Sequence, residues 1–310
     1  MELTYTQNLE DVHLWQALGP KDNGFYIDVG AGHPIADNVS FWFYERGWRG
    51  ICVEPQQDLA KLYPHIRPRD TVFDGLVGRT SGVADFHMVD RLHGFSTTVK
   101  SHAEGAQQFG ASHRTERMPI ITMAELCERH GVGEIDFLKI DVEGAEADVL
   151  MGNDWKRFRP KVIVAEAILP GSGEPGWGEW EPYILAQGYR FTLFDTLNRF
   201  YVAEEANDVL AKAPRERGDW DAVRHLYQIG RAPVFAEHPD HKLATEITRG
   251  FWASLPAMDH AQLASLLARG RGITDPAEIA ALAKSMDTDK MRASLGRIAC
   301  GYDGGQIFDD

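Results

Sequence analysis

The chain has 310 residues, 44% hydrophobic and 25% charged, with a net charge of −14. That suits an ordinary globular protein of one large domain, or one domain with an appendage, while the acidic balance and the lack of a Lys/Arg stripe argue against a nucleic-acid partner. No run of about 18 apolar residues offers a membrane span, and residues 1–7 carry no basic or apolar signal region, so a cytoplasmic protein is expected.

A short helix is predicted near residues 9–18. Residues 25–29 then give a buried-strand pattern that runs into Gly30-Ala-Gly32. Glycines there let the backbone turn sharply and let a ligand come close. A helix near 38–46 stops at Gly47. A strand over 50–54 ends in Glu54, and a helix near 56–63 follows. Strands are predicted over 71–77 and 83–89. Residues 90–117 form a long polar connection, read as a lid or substrate loop. Its region holds His87, His93, His102 and His113, whose spacing fits no compact metal motif, so solvated loop histidines are expected.

Thr122 and Glu125 have capping-box spacing and open a helix that ends at Gly131. A strand over 135–140, a helix over 143–151 and a nearly continuous apolar strand over 161–168 come next. A helix near 180–187 precedes strands 189–195 and 199–203, joined through a tight turn at 196–198. The expected fold is therefore α/β, a doubly wound, mostly parallel sheet that ends in an antiparallel hairpin. Beyond residue 205 the pattern turns helical. Leu263, Leu266 and Leu267 form one apolar face, Ile279, Leu282 and Met286 a second, and Met291, Leu295 and Ile298 a third. Asp275-Pro276 with Glu278 reads as a helix start. The predicted regions are 1–205 and a helical module over 206–310, with 215–240 as connector. Cys52, Cys127 and Cys300 are scattered and read as reduced thiols.

Gly30, Glu54, Asp141 and Glu166 all fall at carboxyl ends of predicted strands. Ligands bind along that edge in open α/β sheets. A Gly-rich turn after one strand and an acid ending the next is the ribose-binding arrangement. The nicotinamide form wants a third glycine, and that position is Ile35, which argues against NAD. Asp141 taken alone reads as a helix cap.

Six segments together resemble the FkbM family of methyltransferases: Asp28-Val-Gly-Ala-Gly32, Gly47-Trp-Arg-Gly-Ile-Cys-Val-Glu-Pro55, Phe95-Ser-Thr97, Asp136-Phe-Leu-Lys-Ile-Asp-Val-Glu-Gly-Ala-Glu146, Arg159-Pro-Lys161 and Leu197-Asn-Arg-Phe-Tyr201. The likeness runs in order over about residues 20–205. It departs at His33, where the common form has Asn. It implies a Rossmann-like domain that transfers methyl from S-adenosylmethionine, usually to a hydroxyl. The variant with Gly-Trp-Arg-Gly and Leu-Asn-Arg-Phe-Tyr resembles the one associated with surface-polysaccharide biosynthesis. By this likeness Gly30 and Gly32 pass under the methionine part, Glu54 accepts from the ribose hydroxyls, and Asp74 and Gly75 flank the adenine. Asp141 lies near the cofactor amino group and reacting methyl, and Asp28 anchors the loop through backbone N–H groups.

A sugar hydroxyl is a weak acid, so a base or a metal must raise its nucleophilicity. Glu166 is the first candidate base, Asp141 the second and His33 a third. Alternatively Asp141, Glu166 and Asn198 supply oxygen ligands for Mg²⁺ or another divalent cation. Trp177 and Trp180, with Tyr183, form either an aromatic platform for the acceptor or packing against the sheet. Asn198, Arg199 and Tyr201 are the hairpin group expected to face the acceptor. The reading is an O-methyltransferase acting on a sugar hydroxyl of a glycan, glycolipid or nucleotide-sugar precursor. Its rivals are an NAD-linked oxidoreductase and a non-catalytic, cofactor-binding partner of a glycosyltransferase. Homo-oligomerisation through the helical module is a further expectation.

Overall fold

In the computed structural model the described residues are 2–89, 96–105, 112–169, 173–219, 221, 223–286 and 288–305. The chain divides into two compact units, Met1–Leu226 and Tyr227–Asp310. The first unit begins with β1 (Glu2–Thr4), α1 (Glu10–Leu18), β2 (Phe25–Val29), α2 (Phe41–Glu45), β3 (Arg49–Val53), α3 (Gln57–Ala60), α4 (Tyr63–Ile66) and β4 (Thr71–Phe73). It continues through β5 (Leu76–Gly78), β6 (Gly82–Val89), α5 (Lys100–Gly105), β7 (His113–Thr122), α6 (Met123–Arg129), β8 (Ile135–Ile140) and α7 (Glu146–Met151). It closes with β9 (Pro160–Glu166), α8 (Glu181–Ala186), β10 (Tyr189–Phe194), β11 (Asn198–Ala203), α9 (Asn207–Lys212) and β12 (Val223–His225).

Seven strands form the main sheet in the order β10-β11-β9-β8-β2-β3-β4. β9, β8, β2, β3 and β4 run parallel, while β11 and β10 close the edge antiparallel. This is the expected doubly wound α/β sheet with a terminal hairpin. All six residues of β8 are buried, as a strand covered on both faces requires. Its neighbours β2 and β9, with β3 beyond β2, supply Ile27, Val29, Ile51, Val53, Val162, Ile163 and Val164 to one core. At roughly 1.5–3 kcal/mol for each buried aliphatic side chain, this core makes the strand ends rigid supports for a site.

Several boundaries differ from the sequence reading. The expected strand over 71–77 splits at Asp74-Gly75, because β5 leaves the main sheet and pairs with β7. Residues 90–117 are not one loop: β7 pairs antiparallel with β6 over eight positions, and α5 occupies Lys100–Gly105. The strand was hidden because both faces of its first half meet water, with Arg114–Arg117 all exposed, so no apolar alternation marks it. Residues 90–95 and 106–111, His93 among them, lie outside the described residues. The other histidines are not merely solvated. His87 is buried and its Nδ1 bonds Thr115 Oγ1 at 2.8 Å, His113 lies edge-on to it, and His102 bonds a backbone carbonyl. The sequence boundary at 205 falls inside the first unit. β12 pairs in parallel with β1, and α9 packs on α1, which ties residues up to 226 to the sheet domain.

The second unit holds α10 (His241–Ser254), α11 (His260–Gly270), α12 (Pro276–Ser285) and α13 (Thr288–Ala299). Leu255, Leu263 and Leu295 form its own core, with Phe251, Trp252, Met258, Leu266, Met286 and Met291 packed around them. Asp259 and Gln262 make a reciprocal capping box on α11, and Asp275 caps α12 at Ala277 N. Ile298 departs from its predicted apolar face and is exposed. Among the described residues no helix is long and apolar enough to cross a membrane.

Candidate functional site

The strand order reverses between β2 and β8, so the topological switch point lies at their carboxyl ends. The Gly30–Gly32 turn leaves β2 there. Gly30 N and Ala31 N both bond Val53 O, at 3.1 and 3.0 Å, and Asp141 N bonds Val29 O at 3.0 Å. These bonds tie the ends of β2, β3 and β8 together. Gly30 has φ +76, and a Cβ on it would lie 1.7 Å from the Asp141 carbonyl oxygen. Only glycine permits both that backbone conformation and that approach. At Gly32 (φ +62) nothing lies within 4 Å of where a Cβ would sit, which leaves room for a ligand over the turn.

Glu54 follows β3 and is 2% exposed. Its Oε2 accepts from Gly32 N at 2.7 Å and its Oε1 from Gln56 N at 2.7 Å. Burial pushes its carboxyl up to about 7, against those two donors and the charge of Lys139. Each oxygen keeps a further lone pair, which is what two vicinal hydroxyls need. Asp28 is fully buried and accepts from Ser40 Oγ at 2.6 Å. It thus anchors the loop region through a side chain, where backbone N–H donors were expected. Asp74 is exposed and Gly75 buried, at the break between β4 and β5.

Beyond β8 and β9 the acids converge. Asp141, Glu143 and Glu166 each offer a carboxylate oxygen, and these atoms lie within 4.8 Å of one another. Lys139 reaches Asp141 at 3.3 Å and Asp28 at 3.6 Å, and also donates to Gly30 O at 2.9 Å. Burial opposes its charge, but Asp141 and Asp28 outweigh it and hold the ammonium above the ordinary lysine value. Glu166 is raised well above the usual carboxylate range by burial, then by Asp141 and Glu143. Glu143 is raised by burial and by the Asp141 charge. Its Oε1 accepting from Val142 N and Gly144 N, both at 3.1 Å, Glu146 ties the turn together and is pushed up to about 7 by burial.

The expected helix over 143–151 starts only at Glu146, because Glu143 and Gly144 sit at φ 57 and 97. Left-handed backbone is strained for Glu and has to be held. Thr97 Oγ1 donates to the Glu143 carbonyl at 2.8 Å, and His102 Nδ1 donates to it at 3.0 Å. The His102 ring lies against Gly144, where a Cβ would come within 2.3 Å of it. The sequence reading gave no site role to Lys139, Glu143, Thr97 or His102. Lys139 and Glu143 flank Asp141 by two residues on either side, and that spacing was the available signal.

His33 Nδ1 accepts from Ile35 N and Ala36 N at 3.2 and 3.1 Å, and burial lowers its pKa. That lone pair holds the loop. Asn198 stands opposite Glu166 in the β11–β9 register, but its amide donates to Glu10 Oε1 at 2.8 Å and Asp195 Oδ2 at 3.2 Å. The third carboxylate at the cluster is Glu143. Arg199 and Tyr201 point to the other face of β11, since side chains alternate along a strand. There Arg199 pairs with Glu181 at 2.6 Å and lies over the rings of Trp177 and Phe191. Trp180 is 2% exposed and packs edge-on against the buried Tyr201. Of the hairpin group, only Asn198 shares the Glu166 face.

A nucleotide-binding α/β enzyme fold, with a glycine turn, a strand-end acid and a carboxylate cluster at its switch point, is what these features define. The family model of the FkbM methyltransferase domain matches residues 28–191, just over half of the chain. The chain belongs to that family. No curated protein matches the sequence. Among solved structures it is similar to CalO1, a methyltransferase in calicheamicin biosynthesis, in its SAH-bound form. The identity is 13%, the TM-score 0.30, and the alignment covers 63% of this chain and 54% of that one. The chain thus spans about half the length of that relative.

Proposed function

We propose that the protein is an S-adenosylmethionine-dependent O-methyltransferase whose acceptor is a sugar hydroxyl of a glycan, glycolipid or nucleotide-sugar precursor. The observation that carries this is the meeting, at one switch point, of the Gly30–Gly32 turn and Glu54 with the Asp141–Glu143–Glu166 cluster. When bound, the cofactor supplies a methyl group already activated on a sulfonium. Gly32 leaves its path open, and Glu54 accepts from the ribose hydroxyls. The acid cluster serves the acceptor oxygen. As the C–O bond forms, the C–S electron pair stays on sulfur and the acceptor's proton leaves, either to Glu166 or, where a cation shares the site, to water. A buried carboxyl with raised proton affinity is suited to take that proton.

An acidic cluster also suits hydroxyl acceptors better than anionic ones. Asp74 and Gly75, at the β4 end, would border the adenine. Incubation with S-adenosylmethionine and a panel of nucleotide sugars and glycans, followed by mass spectrometry, tests the reading. A mass gain of one methyl on a sugar oxygen is expected. Methylation confined to nitrogen or carbon acceptors would overturn the O-methyl assignment.

A further inference from the structure

We propose that Asp141, Glu143 and Glu166 hold one hard divalent cation at the β8–β9 edge. The role given to the cation rests on the methyl-transfer reading above; its binding does not. Three carboxylate oxygens already stand within 4.8 Å of one another. The oxygen shells around Ca²⁺ and Mg²⁺ are about 4.6–5.2 and 4.0–4.2 Å across, so oxygens gathered this closely are on the scale that one hard ion spans. An all-oxygen set without His or Cys selects such hard ions over zinc or copper.

A cluster of acids is not a cation site merely by being acidic. Here a second observation points to a ligand. Glu166 is 9% exposed, no donor reaches its Oε2, and the hydrogen-bonding neighbour of its carboxyl is another acid, Asp141. An orphaned carboxylate oxygen, buried beside two other carboxylates, is costly unless something positive meets it. Lys139 is turned to Asp141, Asp28 and the Gly30 carbonyl. The charge of Lys139 reaches Glu143 and Glu166, but among the described residues no lysine or arginine stands in ion-pair contact with either. The strained Glu143 backbone is clamped by Thr97 and His102, which are therefore positioning residues for the third ligand. A cation in this place would orient the acceptor's hydroxyls and make the reacting one more acidic.

The test is Mn²⁺ binding to the full chain, read by the electron paramagnetic resonance of free Mn²⁺, with Ca²⁺ and Mg²⁺ as competitors. Calorimetry of S-adenosylhomocysteine binding runs in parallel. One Mn²⁺ per chain is expected, displaced by Ca²⁺. Glu143→Gln and Glu166→Gln should each remove most of that binding. Thr97→Val, which touches no ion, should weaken it by about 10–100-fold, as loss of a supporting contact does at metal sites. Circular dichroism confirms that each variant is folded. Absence of stoichiometric Mn²⁺ binding, or binding untouched by Glu143→Gln, overturns the proposal. So does a cluster that takes no Mn²⁺ but binds the sulfonium cofactor more tightly than its neutral product. If S-adenosylhomocysteine binds and Mn²⁺ does not, only the cation falls. If Mn²⁺ binds and the nucleotide does not, the methyl-transfer reading falls and the cation site stands.

Discussion

Replacing Glu54 by Ala is the sharpest probe of the cofactor end. The side chain holds two backbone N–H groups, Gln56 N in a buried bond and Gly32 N in a part-buried one, each at 2.7 Å. It would also accept from two ribose hydroxyls. Losing the ribose contacts should cost about 1–3 kcal/mol of binding, roughly 5- to 150-fold in Kd. The orphaned N–H groups add a separate cost to folding of about 1–3 kcal/mol each while they stay dry. Glu54→Gln keeps one acceptor oxygen and should fall between wild type and Ala in both respects. The affinity should also depend on pH. The Glu54 carboxyl sits at about 7 in the free protein, and hydroxyl donors favour its ionised form. Binding should therefore be constant well above pH 7 and weaken as the pH falls through it. Calorimetry with S-adenosylhomocysteine across pH, alongside thermal melts, separates the two costs. Equal affinities for wild type and Glu54→Ala, or tighter binding of NAD than of the sulfur nucleotide, would refute the reasoning.

Three further outcomes are expected. Glu166→Gln should lower turnover by roughly 10²-fold or more if the residue takes the proton, with little change in cofactor affinity; wild-type turnover on the true acceptor would remove Glu166 from the chemistry. Glu146→Gln should stabilise the metal-free protein at high pH, because Oε1 can still accept from Val142 N and Gly144 N while the buried charge is gone. The Glu146 carboxyl is raised from 4.5 to about 7 in the folded chain, so wild type is best placed below pH 4.5 and loses that contribution as the pH rises through 7; the gain in Tm should vanish toward acid, and a gain independent of pH would contradict it. A chain ending at Leu226 should fold and bind S-adenosylhomocysteine, since every proposed cofactor contact and the β1–β12 pairing lie within it; an unfolded product would show that the second unit is needed for the first.

The sheet was readable because its strands carry their burial in their composition. Val29, Val53, Ile140 and Glu166 mark strand ends that survive to within a residue or two. β7 was not readable, since a stretch with both faces in water can be written in Arg, Thr and Glu. The meeting of the Gly30–Gly32 turn with Glu54, the proposed cofactor end, was legible because a glycine turn and a strand-end acid have few other uses together. The acceptor end was less so. Whether Asn198 or Glu143 completes the cluster depends on a left-handed residue at 143 and on where an amide turns, and both are settled by contacts with Thr97, His102 and Glu10 that lie far away in sequence. Arg199 and Tyr201 are expected at the acceptor as members of the hairpin group with Asn198. Strand alternation sends them to the opposite face from Asn198, a step that the predicted hairpin already allowed.

Stability alone does not account for the carboxyl edge. Glu54, Glu143, Glu146 and Glu166 are all held above the usual carboxylate range by burial, and each such group costs folding free energy at neutral pH. A fold selected only for stability would replace them, because an apolar or neutral side chain of similar volume removes the cost. Two of the four repay part of it locally, Glu54 and Glu146 by each binding a pair of backbone N–H groups. Glu143 and Glu166 have no such return. One sits in strained backbone and the other leaves an oxygen unpaired. Unrepaid cost concentrated on two neighbouring carboxylates, beside a rigid glycine turn, is what the proposed ligand would offset.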